Sequence, residues 1–252
     1  MSVKPGAEPF EHEGGPVGVL LCHGFTGSPQ SLRGWAEFLA EAGLTVSLPR
    51  LPGHGTTWQD MARTGTEDWY AEADRAYQEL RARTDEIFVM GLSMGGCIAL
   101  RLAELRGEAI RGAVVVNPSL TADSMIFALL PVAKLLLRSV KGIASDIKQE
   151  GAAELGYDRV PVKAAATLPR LWRATAAQLG EIRQPVLAYH STEDHVVGPK
   201  SLRLLREALP GDQLTVRDCE NSYHVATLDN DAAAIFAGSL DFVRAHSAAT
   251  KE

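Results

Sequence analysis

Cysteine is scarce in this sequence. Three occur in 252 residues, Cys22, Cys97 and Cys219, an odd number at wide spacings. No disulfide framework and no zinc-ligand pattern follows from them. Cys22 and Cys97 stand in apolar surroundings and read as small buried hydrophobes, which fits a reducing, cytoplasmic compartment. Long apolar runs are missing as well. The longest, Met125 to Leu137, is broken by Pro131 and Lys134, and a bilayer span needs about 20 residues. The leader MSVKPGAEPFEHEGG is polar and holds no apolar core of a secretion signal. Positive charge is not in excess either: 25 Lys and Arg face 31 Asp and Glu, a net charge of −6. That balance argues against a nucleic-acid partner, because phosphate contacts require a basic face. No repeat and no low-complexity tract interrupts the chain.

What is present is ordinary globular material, 46% hydrophobic and 22% charged. A chain of this length buries roughly three quarters of its unfolded surface, enough for a core without staples. Its rhythm is strand, then helix. VGVLLCHG (17–24) is an apolar run ending in glycine, as in a strand covered on both faces. Ser28 and Pro29 suit a helix N-cap and first turn, and Leu32, Trp35, Phe38, Leu39 and Ala42 follow at helical spacing up to Gly43. Further strands are predicted at 44–49, 86–91, 110–117, 185–191 and 214–218. Further helices are predicted at 66–83, 94–106, about 200–209 and about 231–246. Between 118 and 184 the rhythm fails, and this stretch reads as a helical insertion over the sheet. Repeated βα units predict a mainly parallel sheet flanked by helices, with the functional groups at the carboxyl ends of its strands. The expected division is a core of 1–117 and 185–252 with an inserted segment of 118–184.

GLSMG (91–95) matches G-x-S-x-G between a predicted strand and a predicted helix, the context of a nucleophile elbow. Gly91 and Gly95 leave room for a tight turn, and Ser93 is held at a helix N-terminus that favours negative charge. A serine hydroxyl needs a base. Of seven histidines, His12 and His246 lie near the termini and His23 and His54 lie in glycine-rich loops. His190 and His195, with Glu193 and Asp194, offer metal-ligand types, but a metal site is the weaker reading. His224, in ENSYHVATLD, follows the last predicted strand, where the base falls in this chain order. Glu193 and Asp194 both end the preceding strand as candidates to orient it. The shorter acid, Asp194, is preferred and Glu193 is the runner-up. A tetrahedral intermediate also needs backbone donors for its oxyanion. Met94, directly after the serine, supplies one, and Phe25, in HGFTGSP, fits the other.

With these residues in place the chain resembles the α/β-hydrolase superfamily, and more closely the bacterial monoacylglycerol lipases and small carboxylesterases. The matching pieces are LLCHGFTGSPQSL, LPGHGT, GLSMGG, EDHVV and NSYHVATLD, spread from about Val17 to Val243. The resemblance implies Ser93, Asp194 and His224 as a triad, Phe25 and Met94 as oxyanion donors, and 118–184 as a cap. It also implies a cap glutamate that contacts glycerol hydroxyls, matched by Glu154 in AAELGYD. The apolar side chains of the same segment, Ile126, Phe127 and Leu130 among them, are candidates to bind an acyl chain or touch a lipid surface.

The expected activity is hydrolysis of monoacylglycerols through an acyl-enzyme, with a small lipid ester as partner and no metal or organic cofactor. The competing expectations are a general carboxylesterase, acyl transfer to an acceptor other than water, and a non-catalytic ligand receptor on the same fold. The sequence does not specify the oligomeric state.

Overall fold

In the computed structural model, which describes residues 2–122, 137–142 and 145–249, the apolar runs become strands. In chain order the strands are β1 (Phe10–His12), β2 (Val17–Cys22), β3 (Thr45–Leu48), β4 (Glu86–Leu92), β5 (Gly112–Val116), β6 (Ser139–Lys141), β7 (Arg159–Pro161), β8 (Val186–Ser191) and β9 (Leu214–Cys219). The described helices are α1 (Arg33–Glu41), α2 (Trp58–Met61), α3 (Thr66–Arg81), α4 (Met94–Arg106), α5 (Val162–Ala165), α6 (Leu168–Ala176), α7 (Lys200–Ala208) and α8 (Ala232–His246).

The main sheet has the order β1-β3-β2-β4-β5-β8-β9. All its neighbours are parallel except β1, which pairs antiparallel with β3. Every residue of β2, β4 and β5 is buried, as expected where helices cover both faces. Period-2 alternation sends Leu20, Ile87, Val89 and Val115 into one core with α3 and α4. Val19, Leu21, Phe88 and Val114 enter the other core with α1 and α8.

Register decides what happens at the carboxyl edge. Cys22 lies opposite Gly91, Leu92 opposite Val116, Val116 opposite Tyr189, and Ser191 opposite Cys219. The segments after β2, β4, β5, β8 and β9 therefore leave the sheet side by side.

Three details depart from the local reading. β1 lies in the polar leader; its FEH segment carries no apolar signal and becomes a strand only by pairing with β3. A 3-10 turn, Pro29–Leu32, precedes α1, and Ser28 makes no side-chain cap. Among its described residues, the stretch between β5 and β8 adds no strand to the main sheet, but it is not purely helical: β6 and β7 form a two-stranded antiparallel ribbon. Its α6 packs Leu168, Leu171, Trp172 and Thr175 inward. No described helix is long and apolar enough to cross a membrane.

Candidate active site

Ser93 sits between β4 and α4 with φ +56° and ψ −118°, a backbone region that costs a non-glycine residue about 1–3 kcal/mol. Hydrogen bonds hold it there. Its N–H donates to Val116 O at 2.9 Å, while its carbonyl accepts from Cys97 N–H at 3.1 Å and Ser119 N–H at 3.0 Å. The glycines on either side are required by contact. A Cβ at Gly91 would overlap the backbone of Gly95, and one at Gly95 would overlap the carbonyl of Cys22.

His224, in the loop after β9, is buried. Its Nδ1 lies 2.8 Å from Asp194 Oδ2. An ionised carboxylate only accepts, so the proton is on Nδ1 and Nε2 keeps its lone pair. Asp194 Oδ1 accepts from the N–H groups of Val196 and Val197, both at 2.8 Å. Burial pushes the Asp194 carboxyl up, but the His224 bond and charge and these two N–H groups outweigh it, leaving the carboxyl below its ordinary range. The runner-up, Glu193, points elsewhere, to Lys148 at 3.4 Å.

Ser93, His224 and Asp194 line one cavity of about 730 Å³, together with Phe25, Met94 and Glu154. Met94 opens α4, so its N–H belongs to the first turn, which has no intrahelical acceptor. The loop carrying Phe25 passes close to the serine: a Cβ on Gly24 would sit 3.6 Å from Ser93 Cβ. His23 pins this loop. Its Nε2 accepts from Leu51 N–H at 3.1 Å, so Nδ1 donates to Gly24 O at 3.0 Å. Burial lowers the His23 pKa to about 4, so it stays neutral. His54 rests edge-on against His23 and Trp69.

Glu154 reaches the cavity from the segment between β6 and β7, with its carboxyl lying over Gly27. Burial raises that carboxyl, against the opposing pull of His224 and a bond from Ser31. Tyr157, from the same motif, is an anchor. Its hydroxyl donates to Gly53 O at 2.7 Å and accepts from Thr56 N–H at 2.9 Å. The other walls include Val160, Leu168, Trp172 and Val197. Ile126, Phe127 and Leu130 lie outside the described residues.

Sequence reasoning missed Asn117. It has φ +43° and is buried beside His224. Its Nδ2 donates to His224 O at 2.8 Å and Ser191 Oγ at 2.9 Å, while its Oδ1 accepts from Ser191 N–H at 2.8 Å. No motif marks it. The available signal was an asparagine, a residue that tolerates positive φ, at the end of a buried strand. His195, a metal-ligand type by sequence, pairs with Asp146 at 2.8 Å.

Comparison with known proteins gives a consistent result. The family model described as serine aminopeptidase, S33, matches residues 17–231. The chain is 43% identical to a thermostable monoacylglycerol lipase of Bacillus sp. (strain H-257) over 245 residues, covering 97% of each. It is 27% identical to a carboxylesterase of Bacillus subtilis (strain 168) over 240 residues, 94% of this chain and 96% of that one. A solved structure reported for the metagenome-derived lipolytic enzymes LipS and LipT matches with a TM-score of 0.94 and 42% identity, covering 97% of this chain and 100% of that one. The chain therefore belongs to the serine aminopeptidase S33 family, within the α/β-hydrolase superfamily.

Proposed function

We propose that this protein is a serine ester hydrolase that cleaves monoacylglycerols to glycerol and fatty acid through an acyl-enzyme. The observation that carries the reading is the meeting of Ser93 and the His224–Asp194 pair at one cavity. Ser93 Oγ attacks the ester carbonyl while His224 Nε2 takes its proton. The N–H groups of Met94 and Phe25 receive the oxyanion; losing one such donor costs about 3 kcal/mol of barrier. The bond to the glycerol oxygen breaks as the imidazolium returns its proton to that oxygen. Water, deprotonated by His224, then releases the fatty acid and restores Ser93.

In this proposal residues 118–184 form a cap over a core of 1–117 and 185–252. Glu154 hydrogen-bonds the free glycerol hydroxyls, and the apolar wall of Leu168, Trp172 and Val160 takes the acyl chain. The name of the 43% identical relative supports this substrate. Val140 and Val196, exposed at the cavity rim, support passing contact with a lipid surface. Three free, buried cysteines support a cytoplasmic location.

The test is a fluorophosphonate probe followed by a substrate panel of mono-, di- and triacylglycerols, matched ethyl esters and an aminoacyl anilide. Stoichiometric labelling at Ser93 and a preference for monoacylglycerols are expected. Folded protein that takes no label would point to a non-catalytic receptor. Equal turnover of ethyl esters would favour a general carboxylesterase, the second reading, which the Bacillus subtilis relative supports. Preference for the anilide would overturn the ester assignment.

A further inference from the structure

The backbone of His224 is held from two sides, at its carbonyl and at its N–H. The sheet side is Asn117, which donates to the His224 carbonyl. The other side is Asp146, which belongs to the segment between β6 and β7 rather than to the sheet. Its Oδ2 accepts from His224 N–H at 3.1 Å and from His195 N–H at 3.2 Å. Its Oδ1 lies 2.8 Å from His195 Nδ1. Its backbone carbonyl accepts from Val225 N–H at 3.0 Å.

Four hydrogen bonds from one residue thus reach the two loops that bear His224 and Asp194. The side chain is only 9% exposed, and its bond to the His224 N–H is partly shielded from water. The grip is reciprocal. Asp229, just beyond His224, accepts from the N–H groups of Lys148 at 2.6 Å and Gln149 at 2.9 Å, and from Tyr223 N–H at 2.9 Å. Residues 146–149 and 223–229 are therefore stitched together by two carboxylates pointing in opposite directions.

We infer that Asp146 is a positioning residue for the hydrolysis: it fixes the backbone of the base and ties the base's loop to the loop of the orienting acid. The inference rests on the reading of His224 as base. It follows because the imidazole turns on a backbone whose N–H has no partner in the sheet. A tilt of the ring that lengthens the approach to Ser93 lowers the chemical step and leaves apolar binding of the acyl chain in place.

The experiment compares wild type with Asp146→Ala and Asp146→Asn. It measures kcat and KM on a p-nitrophenyl ester, the rate of fluorophosphonate labelling, and thermal melting. Asp146→Ala is expected to lower kcat and the labelling rate at least tenfold, with KM within twofold. Asp146→Asn keeps an oxygen that accepts from His224 N–H and is expected to recover most of the loss. Wild-type kcat in the alanine variant would overturn the inference, as would a change confined to KM, or no rescue by asparagine in a fully folded protein. Should the alanine variant not fold, Asp146→Glu carries the test, since it keeps the charge but moves the oxygens by a methylene. A lowered kcat at unchanged KM then supports the inference, and wild-type kcat overturns it. Wild-type protein that takes no label at Ser93 sinks the catalytic reading itself, a result distinct from any of these.

Discussion

Gly95, in the first turn of α4, lies against the carbonyl of Cys22 at the end of β2, with no room for a methyl group between them. The helix that follows Ser93 is thus seated directly on the strand whose following loop bears Phe25. Gly95→Ala must separate two backbones, and is expected to cost about 3 kcal/mol or more. Gly43→Ala is the comparison. Gly43 has φ +88° but open space around it, so only the left-handed backbone opposes the change, at about 1 kcal/mol. Urea unfolding of both variants measures the difference. Equal losses would mean that the close approach does not limit packing here.

The Nδ1 proton of His224 is held by Asp194. Asp194→Asn offers an amide that can donate to Nδ1, favouring the wrong tautomer. A fall in kcat of about 10⁴ is expected, with the protein still folded.

Glu154 is the polar group placed over Gly27 at the cavity wall. Glu154→Ala is expected to lower kcat/KM for monoacylglycerols about tenfold or more, the scale of one or two hydrogen bonds to a charged group. Ethyl esters of equal chain length should change little. Equal losses on both would remove Glu154 from the glycerol site.

Glu104 on α4 is a buried acid outside the cavity. Its side chain is 1% exposed and pairs with Arg101 at 2.8 Å. Burial pushes its carboxyl up to about 7 from 4.5, against the pull of Arg101. The folded state therefore keeps a proton that the unfolded chain releases near 4.5. This group's contribution to stability is greatest below that pH and falls as pH rises through about 7. Glu104→Gln should be more stable than wild type at pH 8 by about 3 kcal/mol, and the difference should shrink below about 1 kcal/mol at pH 5. A difference independent of pH would show that Glu104 does not titrate in this range.

The order of strands and helices was legible because its signals are local. VGVLLC and GAVVV are apolar throughout, and the spacing of Trp69, Ala73, Ala76, Tyr77 and Leu80 is helical. β1 was not legible: Phe10, Glu11 and His12 carry no alternation, and only the open edge of β3 makes them a strand. The β6–β7 ribbon was missed for the same reason, since three-residue strands are specified by their partner. Among the site residues, Ser93 was visible through the glycines its turn requires, and Asp194 and His224 through their place after successive strands. Asn117 and Asp146 were not visible, because each acts on a peptide group far away in the chain.

The sequence by itself determined the apolar strands of the main sheet, its longer helices and where a sharp turn must present a serine, since apolar period and glycine sterics depend only on neighbours in the chain. The tertiary structure alone decided that β2, β4, β5, β8 and β9 lie side by side, each ending within two residues of its neighbour. It also brought Asn117 and Asp146 to opposite ends of the His224 backbone, one at its carbonyl and one at its N–H. Those outcomes depend on register and on hydrogen bonds between segments some thirty to a hundred residues apart, and such bonds form only where folding has already excluded water.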